Sequence, residues 1–402
     1  MRQFLIIIIL LNLLCCSSPG SKNGIIQNSN PNITTISVFQ PVPIDVKTII
    51  TEIGFIKLDT AIEATVTPSE LRVYKNRIYI RDGRTESVLM FDRSGRFIKK
   101  IGMIGRGPKE FLSMRSIEID YFRDRLYITD AFGSKTMAFD LDGNYLFTVP
   151  LGDAGGLIAI TPSGIIIHEG QMSTFGIDQK TMTQKENIKI IDTMGNLITK
   201  GFEYNYNRKI NSFFNTISVS KSGEITFAPL FRDTIYSITD SAITPLYAFD
   251  FSKVKGITKK RSDTYNSYRD FDIDKRNGYV CLQGKHINSP DFFYTQLSSM
   301  WDKSHLFYNK ATKETHIIKL WNYTYEDGYL FTKNITLFNG VSSALIPFNI
   351  SDYCDGYFYG TFNEGQLSIL EQSNPQAGTI ERLLLDNMDS NGSNTFVTYL
   401  KF

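Results

Sequence analysis

Short apolar runs separated by polar turns recur along this chain at a nearly fixed spacing. Residues 78–98 read IYIRDGRTESVLMFDRSGRFI and residues 126–146 read LYITDAFGSKTMAFDLDGNYL. Asp82 aligns with Asp130, Phe91 with Phe139, Asp92 with Asp140 and Gly95 with Gly143, each 48 positions apart. A looser third copy, IIDTMGNLI at 190–198, sets Asp192 52 positions after Asp140. Periods of about 40–50 residues that contain several short strands indicate propeller blades. Within a unit, Ile78–Ile80 reads as a strand, Asp82–Ser87 as a polar loop, and the next run as a strand ending at Phe91-Asp92. A D-x-x-G turn then reverses the chain, because glycine accepts the left-handed backbone and aspartate bonds the turn amides. Phe97–Ile101 makes the outer strand. The strands are apolar on both sides, as expected where both faces of a sheet are covered.

Later units follow the same plan at 217–238, at 271–284 with 306–320, and at 348–370. With the third copy they number six, and two long inter-blade segments leave room for a seventh. The segment 395–402 (TFVTYLKF) is an apolar strand, and Ile49–Leu58 is another. Pairing these two within one blade removes open sheet edges. The expectation is an all-β chain: a six-bladed β-propeller of four-stranded antiparallel blades, closed by its N- and C-terminal strands.

Between the first two units lies GMIGRGPKEF at 102–111. A glycine-rich phosphate loop needs a strand before it and a helix after it. Strand-like residues follow here, so the segment reads as a crossover between blades. The order GxxGxGPxEF, strand, (I/L)Y(I/V)xD, strand ending FD, DG-type turn resembles the NHL repeat. More closely, it resembles the six-bladed, TolB-like propeller lipoproteins of Gram-negative bacteria, over residues 66–152. That resemblance implies a non-catalytic binding or scaffold protein tethered to the outer membrane.

The N-terminus agrees with such an address. Met-Arg precedes an apolar run from Phe4 to Leu11, and Leu13-Leu14-Cys15-Cys16 follows. This is a secretory signal, too short to span a bilayer, and its end resembles a lipobox with Cys16 as the lipidated residue and Cys15 as the alternative. Residues 1–16 are therefore assigned to signal peptide and lipobox, 17–34 to a flexible tether rich in Ser, Asn, Gly and Pro, and 35–402 to the propeller. No acidic run follows the cysteine, which favours the periplasmic face of the outer membrane. A net charge of +2 with 21% charged residues argues against nucleic acid as a partner. Lys253–Arg261 reads as a solvated inter-strand segment. Cys281 and Cys354 read as separate buried thiols.

Local motifs for chemistry are sparse. The four histidines, His168, His286, His305 and His316, lie in no zinc pattern. Asp272–Gly278 lacks the acidic positions of a calcium loop and reads as strand and turn. No nucleophile elbow is present, and no metal or cofactor is implied. Propeller topology instead gathers the crossovers and the loops after second strands at one end of the central channel. The candidate binding residues there are Asp82, Arg84, Arg106, Lys109, Asp130, His168, Glu169, Arg232 and His286, with Lys285–Trp301 lying over them. Their mixed charge suits a protein, peptide or carbohydrate ligand, and the membrane is a second partner through the lipid. The alternative function is a metal-dependent lyase or lactonase with a cation held in the channel. Its ligands would come from distant blades and leave no local motif.

Overall fold

The structure is a computed structural model. It describes residues 25–26, 32–40, 50–59, 67–152, 156–169, 186–203, 216–229, 232–240, 242–265, 267–298, 303–319, 322–326, 329–334, 337–338, 341–342, 350–362, 382, 385–387 and 395–402. Six sheets carry four antiparallel strands each, one sheet per repeat, and they form a six-bladed propeller. Blade 1 runs from its inner strand Pro68–Tyr74 through Arg77–Asp82 and Ser87–Asp92 to its outer strand Phe97–Ile101. Blades 2 to 5 have inner strands Met114–Asp120, Leu157–Ile160, Ile217–Val219 and Cys281–Asn288. Blade 6 is built from Ile350–Cys354, Tyr357–Phe362, Phe396–Lys401 and, outermost, Glu52–Lys57. The C-terminal strand therefore lies between two partners, pairing Phe362 with Phe396 on one side and Lys57 with Phe396 on the other.

Period-two alternation divides each strand between two neighbours. On blade 1, Tyr79, Val88 and Met90 face Phe111, Ile117 and Ile128 of the blade 2 side. Ile78, Ile80 and Leu89 face Cys354, Tyr359 and Val397 of blade 6. Each buried side chain of this size contributes about 1.5–3 kcal/mol, so the core is a ring of inter-blade layers. The D-x-x-G turns behave as their residues require. Gly95 sits at φ +89, where a Cβ would strike the Lys57 carbonyl oxygen, while Asp92 Oδ1 accepts the amides of Ser94 and Arg96 at 2.9 and 3.1 Å. Gly102 opens the first crossover at φ +83, and a Cβ there would enter the ring of Phe111, which is fully buried beneath the crossover. Cys281 and Cys354 are separate buried thiols.

Three expectations are corrected. Part of the expected tether is paired: Ile25–Ile26 and Thr34–Ser37 run parallel to the outer strand of blade 4, Ala242–Asp250. That strand otherwise has an open edge, and the added segment buries Ile36 and Val38 against blades 4 and 5. Asp272–Gly278 is not strand and turn, because a helix spans Tyr268–Arg276. Asp270 accepts the Ser267 amide at 3.1 Å, and Arg261 closes on Asp274 with two bonds of 2.6 Å. Part of the basic segment is thus helical too, at Lys259–Ser262. Finally, Lys285–Trp301 is no insertion over the channel. Lys285–Asn288 completes the inner strand of blade 5 and Phe292–Ser298 is its second strand, while residues 299–301 lie outside the described residues.

Candidate functional site

The channel has two ends of different origin. Crossovers and the loops after second strands emerge at one, here termed the crossover end. The turns joining first to second and third to fourth strands emerge at the other, the hairpin end.

At the crossover end the two aligned aspartates are structural braces. Asp82 is fully buried, and its carboxylate accepts the amides of Thr67, Arg84 and Thr85 at 2.8, 3.2 and 3.1 Å and the Thr85 hydroxyl at 2.5 Å. Burial raises its pKa, but the Thr85 hydroxyl and these amides outweigh burial and hold the carboxyl below its ordinary value. Asp130, equally buried, accepts from Leu112, Ser113 and Gly133 at 3.0–3.1 Å. Both tie a crossover to the loop after the second strand, and neither carboxylate is offered to a ligand. Arg84 and Arg106 are exposed at this same end, and Glu86 bonds the Met114 amide at 2.7 Å, fastening the Arg84 turn to blade 2. Lys109, also exposed, places its Nζ 5.3 Å from the Tyr145 ring centre. Arg232 lies in the loop after the second strand of blade 4.

Glu169 ends the second strand of blade 3 and accepts a hydrogen bond from the Thr216 hydroxyl of blade 4. Burial pushes its pKa up to about 7, against the opposing effects of Thr216 and the Arg115 guanidinium. His168 pairs through its backbone with Ile158, and its side chain lies outside the described residues. His286 belongs to the channel wall rather than a loop. It is buried on the blade 5 inner strand, with Nε2 2.8 Å from the Thr226 hydroxyl of blade 4.

Residues not singled out by motif dominate the channel. β-Bulges at Pro68/Glu70, Met114/Ser116 and Ile350/Asp352 interrupt three inner strands and re-aim their side chains. At mid-height Arg72 spans two blades. Its Nη2 donates to Glu70 at 2.7 Å and to Glu118 at 3.0 Å, and its Nε reaches Glu118 at 3.4 Å. Asp352 of blade 6 accepts the Val73 amide at 2.5 Å. Desolvation opposes the Arg72 charge, but Glu118, Glu70 and Asp352 overcome it and raise its pKa well above the ordinary value. Burial raises both Glu118 and Asp352, with Arg72 pulling each back down. This ion cluster links the inner strands of blades 1, 2 and 6 and is here termed the plug. Arg72 and Glu118 occupy equivalent positions in PSELRVY and MRSIEID. The sequence signal for them was the charged residues within the inner strands, Glu70 and Arg72 in the first and Arg115, Glu118 and Asp120 in the second.

Below the plug, toward the hairpin end, lies a cavity of about 250 Å³ whose lining includes Tyr121, Lys221, Lys285, Asn288, Asp352 and Tyr353. Lys221 reaches across from blade 4 to the Val73 carbonyl of blade 1 at 3.3 Å, between the rings of Tyr74 and Tyr121. Lys285 donates to Ser351 at 3.2 Å. Asn288 is 1% exposed; its Oδ1 accepts from Tyr247 at 3.1 Å, while its Nδ2 makes no hydrogen bond among the described residues. Among those residues no three His, Cys, Asp or Glu side chains converge as metal ligands. The channel carboxylates converge instead on a guanidinium, an arrangement that does not fit a divalent cation.

A family model described as a domain of unknown function, DUF4934, matches residues 32–392. No curated protein matches the chain. Among solved structures, a Bacteroides fragilis protein described as exported superposes with a TM-score of 0.69 at 16% identity, covering 92% of this chain and 99% of its own. A Bacteroides vulgatus member of the DUF4221 family gives a TM-score of 0.50 at 10% identity, covering 88% and 97%. These likenesses show the fold. No helix among the described residues is long and apolar enough to cross a membrane.

Proposed function

The chain belongs to the DUF4934 family, and from that premise we propose that it is a lipid-anchored cell-envelope protein that binds a ligand without transforming it. Several features support the address: the signal-like run Phe4–Leu11, the lipobox-like Leu13–Cys16, and an exported protein among the structures of the same fold. The absence of acidic residues just after Cys16 favours the periplasmic face of the outer membrane.

The observation that carries the binding reading is the channel itself. Above lies an ion cluster whose carboxylates are spent on Arg72 and backbone amides. Below lies a cavity the size of one sugar ring or a short peptide side chain. An unpartnered buried amide is costly, about 1–3 kcal/mol, and Asn288 lines this cavity. The lining cations Arg72, Lys221 and Lys285 match the anions Glu118, Asp352 and Asp355 in number, which favours an uncharged polar ligand. A lyase or lactonase with a channel cation would need those carboxylates freed from Arg72.

Thermal denaturation of the full-length protein tests the reading with two panels. One holds neutral monosaccharides and uncharged dipeptides; the other holds Ca²⁺, Mn²⁺ and Zn²⁺. A ligand at 100 times its Kd adds about 2.7 kcal/mol. Stabilisation by an organic member, lost in Asn288→Ala, is expected. Stabilisation by a cation alone, lost in Glu118→Gln or Asp352→Asn, would refute it.

A further inference from the structure

The crossover end of blades 1 and 2 carries a second surface, independent of the channel cavity. Phe132 is 74% exposed, Met103 61%, Ile104 54% and Leu112 43%. They come from two segments 20 or more residues apart, yet the backbone joins them. The Phe111 amide donates to the Met103 carbonyl at 3.1 Å, folding the crossover back on itself. The Leu112 and Gly133 amides share the Asp130 carboxylate, fixing the loop that bears Phe132 beside it. These apolar side chains are thus presented on a braced frame, which lowers the ordering cost of binding.

The charges around them are one-sided. Asp82 and Asp130 are buried, Glu86 is turned onto the Met114 amide, and Glu110 accepts the Gly107 amide at 2.7 Å. Arg84, Arg106 and Lys109 are exposed, Lys109 with its Nζ over the Tyr145 ring. An apolar cluster beside three cations, on a chain of net charge only +2, selects an apolar partner with negative charge.

Topology distinguishes a protein from a lipid surface. The N-terminal segment runs parallel to Ala242–Asp250, from Ile25 beside Ala242 to Ser37 beside Asp250. That outer strand starts at the hairpin end and finishes at the crossover end, so Ile25 lies at the hairpin end. Cys16 lies nine positions earlier, a reach of roughly 30 Å at most. With a lipid on Cys16, the hairpin end faces the bilayer and the crossover end faces away. We propose that Met103, Ile104, Leu112 and Phe132, with Arg84, Arg106 and Lys109, form a docking surface for an acidic, apolar-containing polypeptide segment of another envelope protein. The orientation, and with it the choice of a protein over a lipid surface, rests on the lipid anchor proposed above; the surface itself does not.

The test uses full-length Cys16→Ser protein and two labelled synthetic twelve-residue peptides, one alternating Glu with Leu and Phe, the other with Lys in place of Glu. Fluorescence anisotropy should show the acidic peptide binding and weakening with salt. Arg84→Glu with Arg106→Glu, and separately Phe132→Ser with Met103→Ser, should weaken it more than tenfold at unchanged Tm. Met194→Ser, at the hairpin end, should leave it unchanged. The proposal is overturned if the acidic peptide fails to bind or the lysine peptide binds equally. It is also overturned by Phe132-dependent sedimentation with phosphatidylglycerol vesicles, which would assign the surface to lipid, or by Phe132-dependent dimerisation, which would assign it to a second copy. None of these outcomes depends on a ligand in the channel cavity.

Discussion

Replacing Glu169 by glutamine should make the propeller more stable in mild alkali and alter it little in mild acid. Glutamine keeps the shape of the side chain and an oxygen to accept the Thr216 hydroxyl bond, but it cannot ionise. In the wild type, burial raises the Glu169 pKa from 4.5 to about 7. A carboxyl whose pKa is raised on folding is favoured while it stays protonated. Its relative contribution is therefore present at low pH and is lost as pH rises from about 4.5 through 7. One pH unit of difference corresponds to about 1.4 kcal/mol. Ionising Glu169 in the folded chain by pH 8 thus costs about 3 kcal/mol relative to the unfolded chain, against somewhat under 1 kcal/mol at pH 5. Comparing the two proteins cancels every other titrating group to first order. Urea denaturation at pH 5 and pH 8 should show the advantage of the glutamine variant growing by about 2 kcal/mol, a large share of the roughly 5–15 kcal/mol a domain has. Parallel pH dependences in the two proteins would refute the reasoning, because Glu169 would then be ionised at little cost beside Arg115.

Arg72→Met should cost about 3–5 kcal/mol, since it leaves Glu118 without its guanidinium in the channel while Glu70 keeps Arg81; adding Glu118→Leu should recover part of the loss in the same urea assay, and no recovery would show that the pair is not coupled. Truncation after Gly392 removes Phe396, Val397 and Leu400, all fully buried, and orphans Glu52–Lys57. At about 1.5–3 kcal/mol per side chain the shortened chain should melt far below the intact one, and a melt within a degree or two would refute the closure energetics. Cys16→Ser should abolish labelling by radioactive palmitate and release the protein from membranes; loss in Cys15→Ser instead would move the site by one residue, and an unlabelled wild type would remove the anchor.

What was legible in the sequence and what was not divide along a physical line. Hairpin turns, alternating runs and the Asp-to-Asp spacing are local, so the blade repeat and its closure could be read from one chain, while two long inter-blade segments left six and seven blades both open. The parallel pairing of Ile25–Ile26 and Thr34–Ser37 with blade 4 joins residues about 200 positions apart and leaves no local trace. The helix at Tyr268–Arg276 did leave one, because Ser267 and Asp270 have the spacing of a helix-start capping pair. The alternation in FDID read as strand only while that signal went unused. Loop topology located Arg84 and Arg106 at the crossover end, but it could not say which side chains face the channel. Lys285 and His286 looked like loop residues because a bulge between Leu282 and His286 hides the inner strand of blade 5.

The repeat also has to be read in two opposite ways. A residue retained at one position in successive blades meets the same backbone surroundings each time, and Asp82 and Asp130 show the consequence: both are consumed by crossover and turn amides. Repetition there marks scaffold. The channel is where blades face one another rather than their own turns, so a side chain there meets a different partner in every blade. Arg72 and Glu118 stand at one equivalent position with opposite charge, and that difference is what lets them pair. A ring of identical residues at this height would place like charges together and repel. In the binding function proposed above, specificity would come from positions where the repeat is broken, such as a buried charge set inside an inner strand. Asp352, within ISDYC of blade 6, meets the same criterion and lies at the same plug beside Val73.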